Sequence, residues 1–419
     1  MARRVKSLLR RWSSRVFSVE LDEAPLSFGI QAAQRGGRPP GFFAELGEQD
    51  RCYSLLVSGR DAARRAQFSA QLREQLLREL PPGCDLAAMS SHLPDAEDSL
   101  IKGYFIKGNT ENSSRIEGLL KDIEQQESVL VCSYTGEDGQ QWTQHLWSRE
   151  QSKKMEMMVK FYVVPSESSI CHPSSLNTAN YDVFHSFEEA YDVLKKNVDV
   201  SPEARSVLEM FPSTVKAGRK PDFPVIAIEG LDATGKTTLT ESLRDTLGAT
   251  LLRSPPQCLS RWRAHFDQQP ALIRRAFYAL GNYVTEEQIG QEGMKTPVIV
   301  DRFWHSTAAY AIATAVSGPA CNLPQEGSEV YRWPGDLLQP SLVVLLTLNP
   351  QERERRLRNR GQKITDEEQE LDHNQFFRLR VEEAYRRISG PPCVVVDASP
   401  SADLVLQQVL LLIRAKCHL

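Results

Sequence analysis

The segment Ile226–Leu239 reads IAIEGLDATGKTTL and carries the strongest local signal in the chain. An apolar run leads into Gly230, and after four further residues the chain continues Gly235-Lys236-Thr237, which fits the pattern G-x-x-x-x-G-K-[ST]. Glycines at both ends let the backbone turn so that successive N–H groups point at phosphate oxygens. The lysine can then reach the β- and γ-phosphates of a nucleotide, and the threonine hydroxyl can bind Mg²⁺.

A strand before this loop and a helix after it are the context that such a phosphate site requires. The apolar run before Gly230 reads as a buried strand, and the residues from 236 onward read as a helix whose positive end faces the anion. We therefore predict a nucleotide-phosphate site rather than a glycine-rich turn without a ligand. Its predicted members are Gly230, Leu231, Asp232, Ala233, Thr234, Gly235, Lys236, Thr237 and Thr238.

Around the loop, residues 223–419 alternate nearly continuous apolar runs with helical segments. Runs such as SLVVLLTL (341–348) are typical of strands buried on both faces, and their alternation with helices is typical of a parallel sheet. The fold class predicted for this half is therefore α/β, a P-loop kinase sheet with helices on both faces. The whole chain has the composition of an ordinary globular protein, with 41% hydrophobic and 25% charged residues.

The first half of the chain shows a different order of elements. Residues 60–80 and 186–199 have helical patterns, whereas 128–134 and 157–165 read as strands. We predict a smaller α+β domain over residues 40–212, in which we find no catalytic constellation. The short polar, proline-containing stretch that follows, 213–222, is predicted to be a linker.

The first nineteen residues are arginine-rich and contain no acidic residue before Glu20. Wound as a helix, they place an apolar stripe, including Trp12 and Val16, opposite the basic side chains. Such a segment is typical of a mitochondrial transit peptide, the alternatives being a basic tail or a nucleic-acid arm. We predict a transit peptide over residues 1–30, cleaved between about 15 and 40, which would deliver the chain to the matrix.

The overall charge and hydropathy restrict the partners. A net charge of −4 argues against nucleic acid as a partner. No apolar run is long enough to span a bilayer. The eight cysteines have no paired spacing with histidine or with each other that would suggest a zinc site.

Two further polar segments lie in the second half. Asp301 and Arg302 follow an apolar run at the predicted carboxyl end of a strand, where ligands bind in open α/β sheets. Asp301 could orient Mg²⁺ and Arg302 could bridge two phosphates, although such a pair alone is equally compatible with a surface salt bridge. The arginine-rich segment 349–372 is either a lid that closes over a nucleotide or a solvated helix with i,i+4 pairs such as Glu352 with Arg356. Its excess of arginine beside a phosphate site favours the lid.

The motifs IEGLDATGKTT, LLRSPP, DRFWHSTAAY, the arginine-rich segment and VVVDAS resemble those of the thymidylate kinase family, in the same order, over about residues 223–415. With its basic leader and N-terminal half, the chain is similar to the mitochondrial members of that family that act on other pyrimidine nucleotides. The resemblance implies Mg²⁺- and ATP-dependent phosphorylation of CMP, UMP, dCMP and dUMP in mitochondrial nucleotide salvage. Members of the family often form dimers, so a homodimer is left open.

The resemblance also implies roles for residues that match the motifs. Lys236 and Thr237 would bind the ATP phosphates and magnesium, and Asp232 would hold the acceptor sugar hydroxyl. Arg302 would clamp the phosphates, and Tyr310 would lie beside the sugar and base of the acceptor.

On the acceptor side the sequence departs from the family pattern. Arg253 leads into the acceptor-phosphate loop, but Gln257 stands where many members have a second arginine. Arg261 or Arg263 could substitute for it. Asn282 is predicted to replace an arginine that touches the base edge, which fits a pyrimidine other than thymine.

The phosphate loop itself also departs from some members of the family. Ala233 and Thr234 occupy positions where those members have an arginine. The resemblance then predicts that the catalytic arginine comes from the lid, with Arg355, Arg356 and Arg360 as unranked candidates.

Three alternatives to this function remain from the sequence. The acceptor could be thymidylate, or the second half could be a nucleotide-binding regulatory module with little transfer activity. A third alternative adds nucleoside-diphosphate phosphorylation, but His305 is the one histidine near the predicted site and its position after a strand is more typical of packing.

Overall fold

The computed structural model of the protein describes residues 12–21, 24–33, 41–47, 49–59, 61–94, 96, 98–124, 129–137, 141–147, 159–166, 173–176, 178, 181–211, 220–359 and 374–417. The chain divides into two compact units, Met1–Asn177 and Thr178–Leu419, which we call the N-terminal and C-terminal units. In the part of the chain just specified, no helix is long and apolar enough to cross a bilayer.

The N-terminal unit is an antiparallel barrel with helices. Its strands are β1 (Val16–Leu21), β2 (Ala24–Gln31), β3 (Asp50–Val57), β4 (Asp85–His92), β5 (Ile101–Asn109), β6 (Val129–Glu137), β7 (Gln141–Leu146) and β8 (Val159–Pro165). Its helices are α1 (Gly41–Ala44), α2 (Ala62–Glu79) and α3 (Ser113–Glu124). These strands close in the order β1-β2-β8-β7-β6-β3-β5-β4, with β4 paired back to β1.

Two apolar cores hold this unit together. One core is mainly aromatic and includes Phe17, Phe28, Phe43, Tyr134 and Trp142. The other lies where buried residues of α2 and α3 pack on β3, β5 and β6. The sequence indicated both strands and helices here, but not the closure of the strands into a barrel, because alternation identifies the buried face of a strand and not its neighbours.

The predicted transit peptide overlaps this barrel. The predicted helix does not continue through Val16, because Trp12 and Ser13 are helical but Val16 begins β1, which pairs with both β2 and β4. The Trp12 side chain is buried, and its Nε1 donates a hydrogen bond to Gln144 Oε1 at 2.9 Å. The Arg15 guanidinium donates to Ser91 Oγ and to the carbonyl oxygen of Ser91, each at 2.9 Å. A cut after residue 15 would remove the buried Trp12 and Arg15, and a cut after residue 21 would also remove β1. Residues 1–11 lie outside the described residues.

The C-terminal unit contains the predicted parallel sheet. Its strands are β9 (Val225–Gly230), β10 (Thr250–Arg253), β11 (Val298–Asp301), β12 (Leu342–Thr347) and β13 (Cys393–Asp397). Its helices are α4 (Phe187–Lys195), α5 (Pro202–Leu208), α6 (Lys236–Leu247), α7 (Ser260–Asp267), α8 (Ala271–Glu292), α9 (Trp304–Ala315), α10 (Pro350–Asn359), α11 (Gln375–Arg387) and α12 (Ala402–Cys417). The strands run in the order β10-β11-β9-β12-β13, and every neighbouring pair is parallel.

The central strand β9 is buried along its whole length, as its apolar sequence predicts. Val225 and Ala227 enter a core on one face of the sheet, whereas Ile226 and Ile228 enter a core on the other face. The prediction of a parallel α/β sheet covered on both faces is confirmed.

The helix predicted over 186–199 belongs to this unit and not to the N-terminal half, where the sequence placed it. It begins as α4 after Ser186, and the Phe187 ring lies 5.4 Å from the Tyr283 ring of α8 and 5.3 Å from the Phe211 ring. Asp336 accepts hydrogen bonds from both the Phe187 N–H and the Tyr283 hydroxyl, each at 2.7 Å. The two compact units consequently divide before the predicted linker, because α4 packs on α8.

We expect residues 12–31 to be required for the N-terminal unit to fold. A chain that begins at residue 12 keeps every described strand, whereas one that begins at residue 32 lacks β1 and β2 and leaves β4 and β8 without those partners. Scanning calorimetry should therefore show the unfolding transition of the N-terminal unit in the first chain and not in the second. Identical transitions in both chains would show that the two strands are dispensable.

Candidate active site

The phosphate loop between β9 and α6 has a backbone that its two glycines permit. Gly230 has φ +140°, and a Cβ added there would lie 2.6 Å from the carbonyl oxygen of Leu346. Gly235 has φ +90° and precedes the first residue of α6. A side chain at Gly230 would collide with the neighbouring strand, so the spacing recognised in the sequence has a steric cause.

Lys236 is held inside this loop. Its Nζ donates to the carbonyl oxygen of Leu231 at 2.8 Å and lies 3.7 Å from Asp232 Oδ1. Burial, followed by the nearby Arg302 guanidinium, lowers the pKa of Lys236 to about 8. A phosphate anion in the loop would favour the charged ammonium again, because an opposite charge raises the pKa of a lysine.

Arg302 joins the end of β11 to the phosphate loop. Its Nη2 donates to Asp232 Oδ1 at 2.7 Å, and its Nη1 donates to Ser306 Oγ at 3.2 Å. The guanidinium carbon lies 6.0 Å from the centre of the Tyr310 ring. The structure thus brings Arg302, Asp232, Lys236 and Tyr310, four residues that the sequence nominated from two distant motifs, into one cluster.

Asp301 and Arg253 form a second pair at the same edge of the sheet. They are register partners at the ends of β11 and β10, and Arg253 Nε lies 3.6 Å from Asp301 Oδ2. The Arg253 side chain is 55% exposed, so this pair contributes little to stability and leaves the arginine accessible to an anionic ligand.

Oxygen ligands for magnesium are present on both motifs. Thr237 lies exposed in the first turn of α6, and Asp301 ends β11. Within the ranges that the structure describes, no group of three or more His, Cys, Asp or Glu side chains could hold a metal ion. A nucleotide-borne Mg²⁺ needs only one or two protein oxygens in addition to phosphates and water.

Asn282 is buried, whereas a side chain that hydrogen-bonds a base directly must be accessible to the ligand. It is 1% exposed, its Oδ1 accepts from Ser254 Oγ at 2.7 Å, and its Nδ2 donates to Thr307 Oγ1 at 3.1 Å. Its predicted contact with the acceptor therefore remains a prediction. The proposed substitutes Arg261 and Arg263 lie on α7 and are both exposed.

The arginines of α10 are unequal in their contacts. Arg355 is 67% exposed and pairs with Glu352 at 2.7 Å. Arg356 also pairs with Glu352, at 2.8 Å, and donates to the carbonyl oxygen of Ala398 at 2.9 Å. Its Nη1 lies 3.7 Å from the position that a Cβ would take at Gly235. Hydrogen bonds from Arg355 and then Arg356 lower the pKa of Glu352 to about 2. The third candidate, Arg360, lies outside the described residues.

Arg353 is a candidate that the sequence did not distinguish from its neighbours. It is 2% exposed, and its Nε donates to the carbonyl oxygen of Asp232 in the phosphate loop at 3.3 Å. The helical positions of these arginines were readable, but which of them face the loop depends on contacts with distant segments.

The C-terminal unit also contains a groove of about 650 Å³ that the sequence did not predict. It lies at the carboxyl ends of β12 and β13, where α/β sheets bind ligands. It is lined by Thr347, Leu348, Asn349, Gln351, Glu352, Glu382, Arg386, Asp397 and Ser399.

Comparisons with known proteins show which family the chain resembles. The sequence model of the family described as thymidylate kinase matches residues 228–409. Human "UMP-CMP kinase 2, mitochondrial" is 41% identical, over 96% of this chain and 92% of the human protein. The chain belongs to the thymidylate kinase family. The resemblance drawn from the ordered motifs is thereby confirmed.

Other similar proteins carry the name thymidylate kinase. The enzyme of Xanthomonas euvesicatoria pv. vesicatoria is 29% identical over 47% of this chain and 85% of the bacterial protein. A solved structure of thymidylate kinase from Candida albicans has a TM-score of 0.37 and 19% identity, and covers 47% of this chain and 93% of that one.

In this member of the thymidylate kinase family, His305 has the packing position expected from the sequence. It is fully buried, and its Nε2 hydrogen-bonds the carbonyl oxygen of Pro391 at 2.9 Å. Its ring lies 5.1 Å from the Trp333 ring, and burial lowers its pKa to about 4. A neutral imidazole enclosed in this way does not match an exposed phosphate carrier.

We expect Arg356 to matter more for ATP than Arg355, because only Arg356 bridges α10 to Ala398 and approaches Gly235. Replacing Arg356 with alanine should weaken ATP binding by about tenfold or more, an effect of about 1.4 kcal/mol. The same change at Arg355, which contacts Glu352 at the surface, should change affinity by less than about threefold. Titration calorimetry measures both values, and equal losses would contradict this ranking.

Proposed function

We propose that this chain transfers the γ-phosphoryl group of ATP to the pyrimidine nucleoside monophosphates CMP, UMP, dCMP and dUMP. The observation that carries the proposal is the cluster in which Arg302 bonds Asp232 beside Lys236, at the sheet edge where ligands bind. The name of the human relative, similar over nearly the whole chain, supports the choice of acceptor.

Phosphoryl transfer requires little covalent chemistry from the protein, so positioning and charge are the main contributions. The loop N–H groups and Lys236 would hold the phosphates of ATP. Arg302, which emerges from the neighbouring strand, would bridge the donor and acceptor phosphates and stabilise the negative charge that spreads over the transferred group. Its bond to Asp232 keeps the guanidinium at the loop before any phosphate arrives.

We infer that Thr237 and Asp301 would hold Mg²⁺ together with the ATP phosphates. Both offer the hard oxygen atoms that Mg²⁺ prefers. The ion, when bound, neutralises charge on the β- and γ-phosphate oxygens. Arg253 beside Asp301 is then a cation at the same edge for the acceptor phosphate.

The nucleosides would occupy opposite sides of this phosphate site. The groove at the ends of β12 and β13 suits the donor adenosine, because its volume is typical of a ligand site and Arg356 links it to the loop. Tyr310 and the hydroxyls bonded to Asn282 suit the acceptor sugar and base. The arginines of α10 would complete the site, with Arg353 and Arg356 placed closest to the loop.

We also infer that residues 223–419, the predicted kinase domain, carry the activity. We further infer that the basic leader directs the chain to the mitochondrial matrix. The human relative has "mitochondrial" in its name. A fluorescent protein fused to residues 1–40 should colocalise with a matrix marker. A diffuse cytosolic signal would remove the support for import.

Thymidylate is the second candidate acceptor, because the bacterial relatives are named thymidylate kinases. A purely regulatory nucleotide-binding module is disfavoured by the complete set of Asp232, Lys236, Asp301 and Arg302 around the loop.

A homodimer, expected in the family, would show in sedimentation of the purified chain.

Replacing Lys236 with alanine should abolish most turnover while keeping the fold. A coupled ADP-release assay with ATP, Mg²⁺ and CMP, UMP, dCMP, dUMP or dTMP measures the rate and ranks the acceptors. We expect at least a hundredfold loss in kcat, about 2.7 kcal/mol, because a buried cation at the phosphates would be lost. Near wild-type turnover in the variant would refute the phosphate site, and a preference for dTMP would establish the second candidate.

A further inference from the structure

Glu229 is a buried carboxylate that the phosphate-loop pattern does not specify. It is the residue before Gly230 in β9, and it is fully buried. Removing a carboxylate from water is unfavourable unless hydrogen bonds and nearby cations compensate. Its partners therefore indicate what the carboxylate does.

Those partners lie in the segment directly after Arg302. Glu229 Oε1 accepts a hydrogen bond from the Phe303 N–H at 2.8 Å. Oε2 accepts from the Ser306 hydroxyl and, at 3.3 Å, from the Tyr385 hydroxyl. The Ser306 oxygen accepts in turn from Arg302 Nη1 at 3.2 Å. One carboxylate thus binds the residues that follow Arg302 through the main chain and a side chain.

Arg302 needs such support because its backbone is unusual. Its φ is +64°, in the left-handed region that residues with a side chain rarely adopt. Its own N–H donates to the carbonyl oxygen of Ile228 at 3.0 Å, and the next N–H, of Phe303, donates to Glu229. The last residues of β9 therefore hold both peptide groups that flank this conformation.

We propose that Glu229 is a positioning residue, whose carboxylate fixes the segment after Arg302 through the Phe303 N–H and the Ser306 hydroxyl so that the guanidinium faces the phosphate loop. This inference rests on the proposed role of Arg302 in phosphoryl transfer. Glu229 itself contacts no predicted ligand group. The competing interpretation is a purely structural tie between β9 and α9, which would affect folding but not the rate through Arg302.

The ionisation of Glu229 provides a second readout. Burial raises the pKa of Glu229 to about 7, although the Ser306 hydrogen bond and the Arg302 charge oppose the rise. The other titratable groups that face it are Lys236 on α6, Tyr385 on α11 and Cys393 on β13.

We expect protonation of Glu229 to change stability and turnover in opposite directions. Because the folded-state pKa exceeds the ordinary value of 4.5, the folded chain binds this proton more tightly than the unfolded chain. The contribution of this group to the free energy of unfolding therefore rises as the pH falls from about 7 toward 4.5. Turnover should fall over the same interval, since a protonated Oε2 no longer accepts both hydroxyl bonds.

The test uses the full chain with Glu229→Gln, Arg302→Ala and the double variant. Glu286→Gln is the matched control. Glu286 is also buried, and its pKa is also raised to about 7. It lies on α8, where it accepts a hydrogen bond from the Leu338 N–H at 3.0 Å. We expect Glu229→Gln to lower kcat by about tenfold or more with the KM for ATP changed less than about threefold. Glu286→Gln should leave kcat within about twofold.

The double variant distinguishes the interpretations. If Glu229 acts through Arg302, Glu229→Gln should lower kcat less than about twofold further in the Arg302→Ala background. The acid limb of kcat should be weaker in Glu229→Gln than in the wild type, and the part that remains comes from the acceptor phosphate, whose second pKa is about 6. Losses that multiply in the double variant would overturn the inference. An Arg302→Ala variant with the turnover of the wild type would also overturn the inference. The proposed function fails separately, namely if the wild-type chain phosphorylates none of the acceptors. If thermal unfolding shows that Glu229→Gln is not folded, Ser306→Ala is the second variant. It removes the hydroxyl that joins Glu229 to Arg302 Nη1 and keeps the bond from the Phe303 N–H to Glu229. It must meet the same kcat and double-variant criteria.

Discussion

The register of β9 between β11 and β12 is the constraint on which the rest of the C-terminal unit depends. Ile228 pairs with Asp301 on one side, and Gly230 pairs with Leu346 on the other. Parallel pairing brings the carboxyl ends of all three strands to one edge, so the phosphate loop and Arg302 must meet although 70 residues separate Asp232 from Arg302. A shift of one residue in the pairing of β9 would move each of its side chains to the opposite face of the sheet. Because both faces are buried, such a shift would disrupt the packing on both, so this register is costly to change.

Sequence reasoning succeeded where function needs a local backbone pattern. The phosphate loop was readable because its turn, its lysine and the start of its helix lie within a few residues. Arg302 was readable from its position at a strand end. The burial of Asn282 was not, because its partners Ser254 and Thr307 lie 28 and 25 residues away in the chain. Periodicity identifies which face of α8 is buried, but it does not identify what occupies that face.

The overlap of the predicted leader with the barrel has the same origin. Arginines interleaved with apolar residues satisfy the description of an import helix, yet Trp12 and Arg15 find buried partners 132 and 76 residues away. The same amphipathic pattern therefore suits an import helix before folding and a buried segment of the barrel unit after folding. In the folded chain, residues 12–21 and 24–31 belong to the barrel unit, where they form β1, β2 and the segment before β1.

The segment between the two halves shows why a family match can understate a folding unit. The family sequence model begins at residue 228, within β9, whereas α4 covers α8 from residue 187 onward. Helix α8 is buried over most of its length, and it carries Asn282, which the sequence predicted to contact the acceptor. Because Asp336 binds both the Phe187 N–H and the Tyr283 hydroxyl, loss of α4 would uncover the helix and free one of its polar anchors. The position of α8 therefore depends on a segment outside the matched domain, and we expect substitutions in α4 to act on α8 through packing.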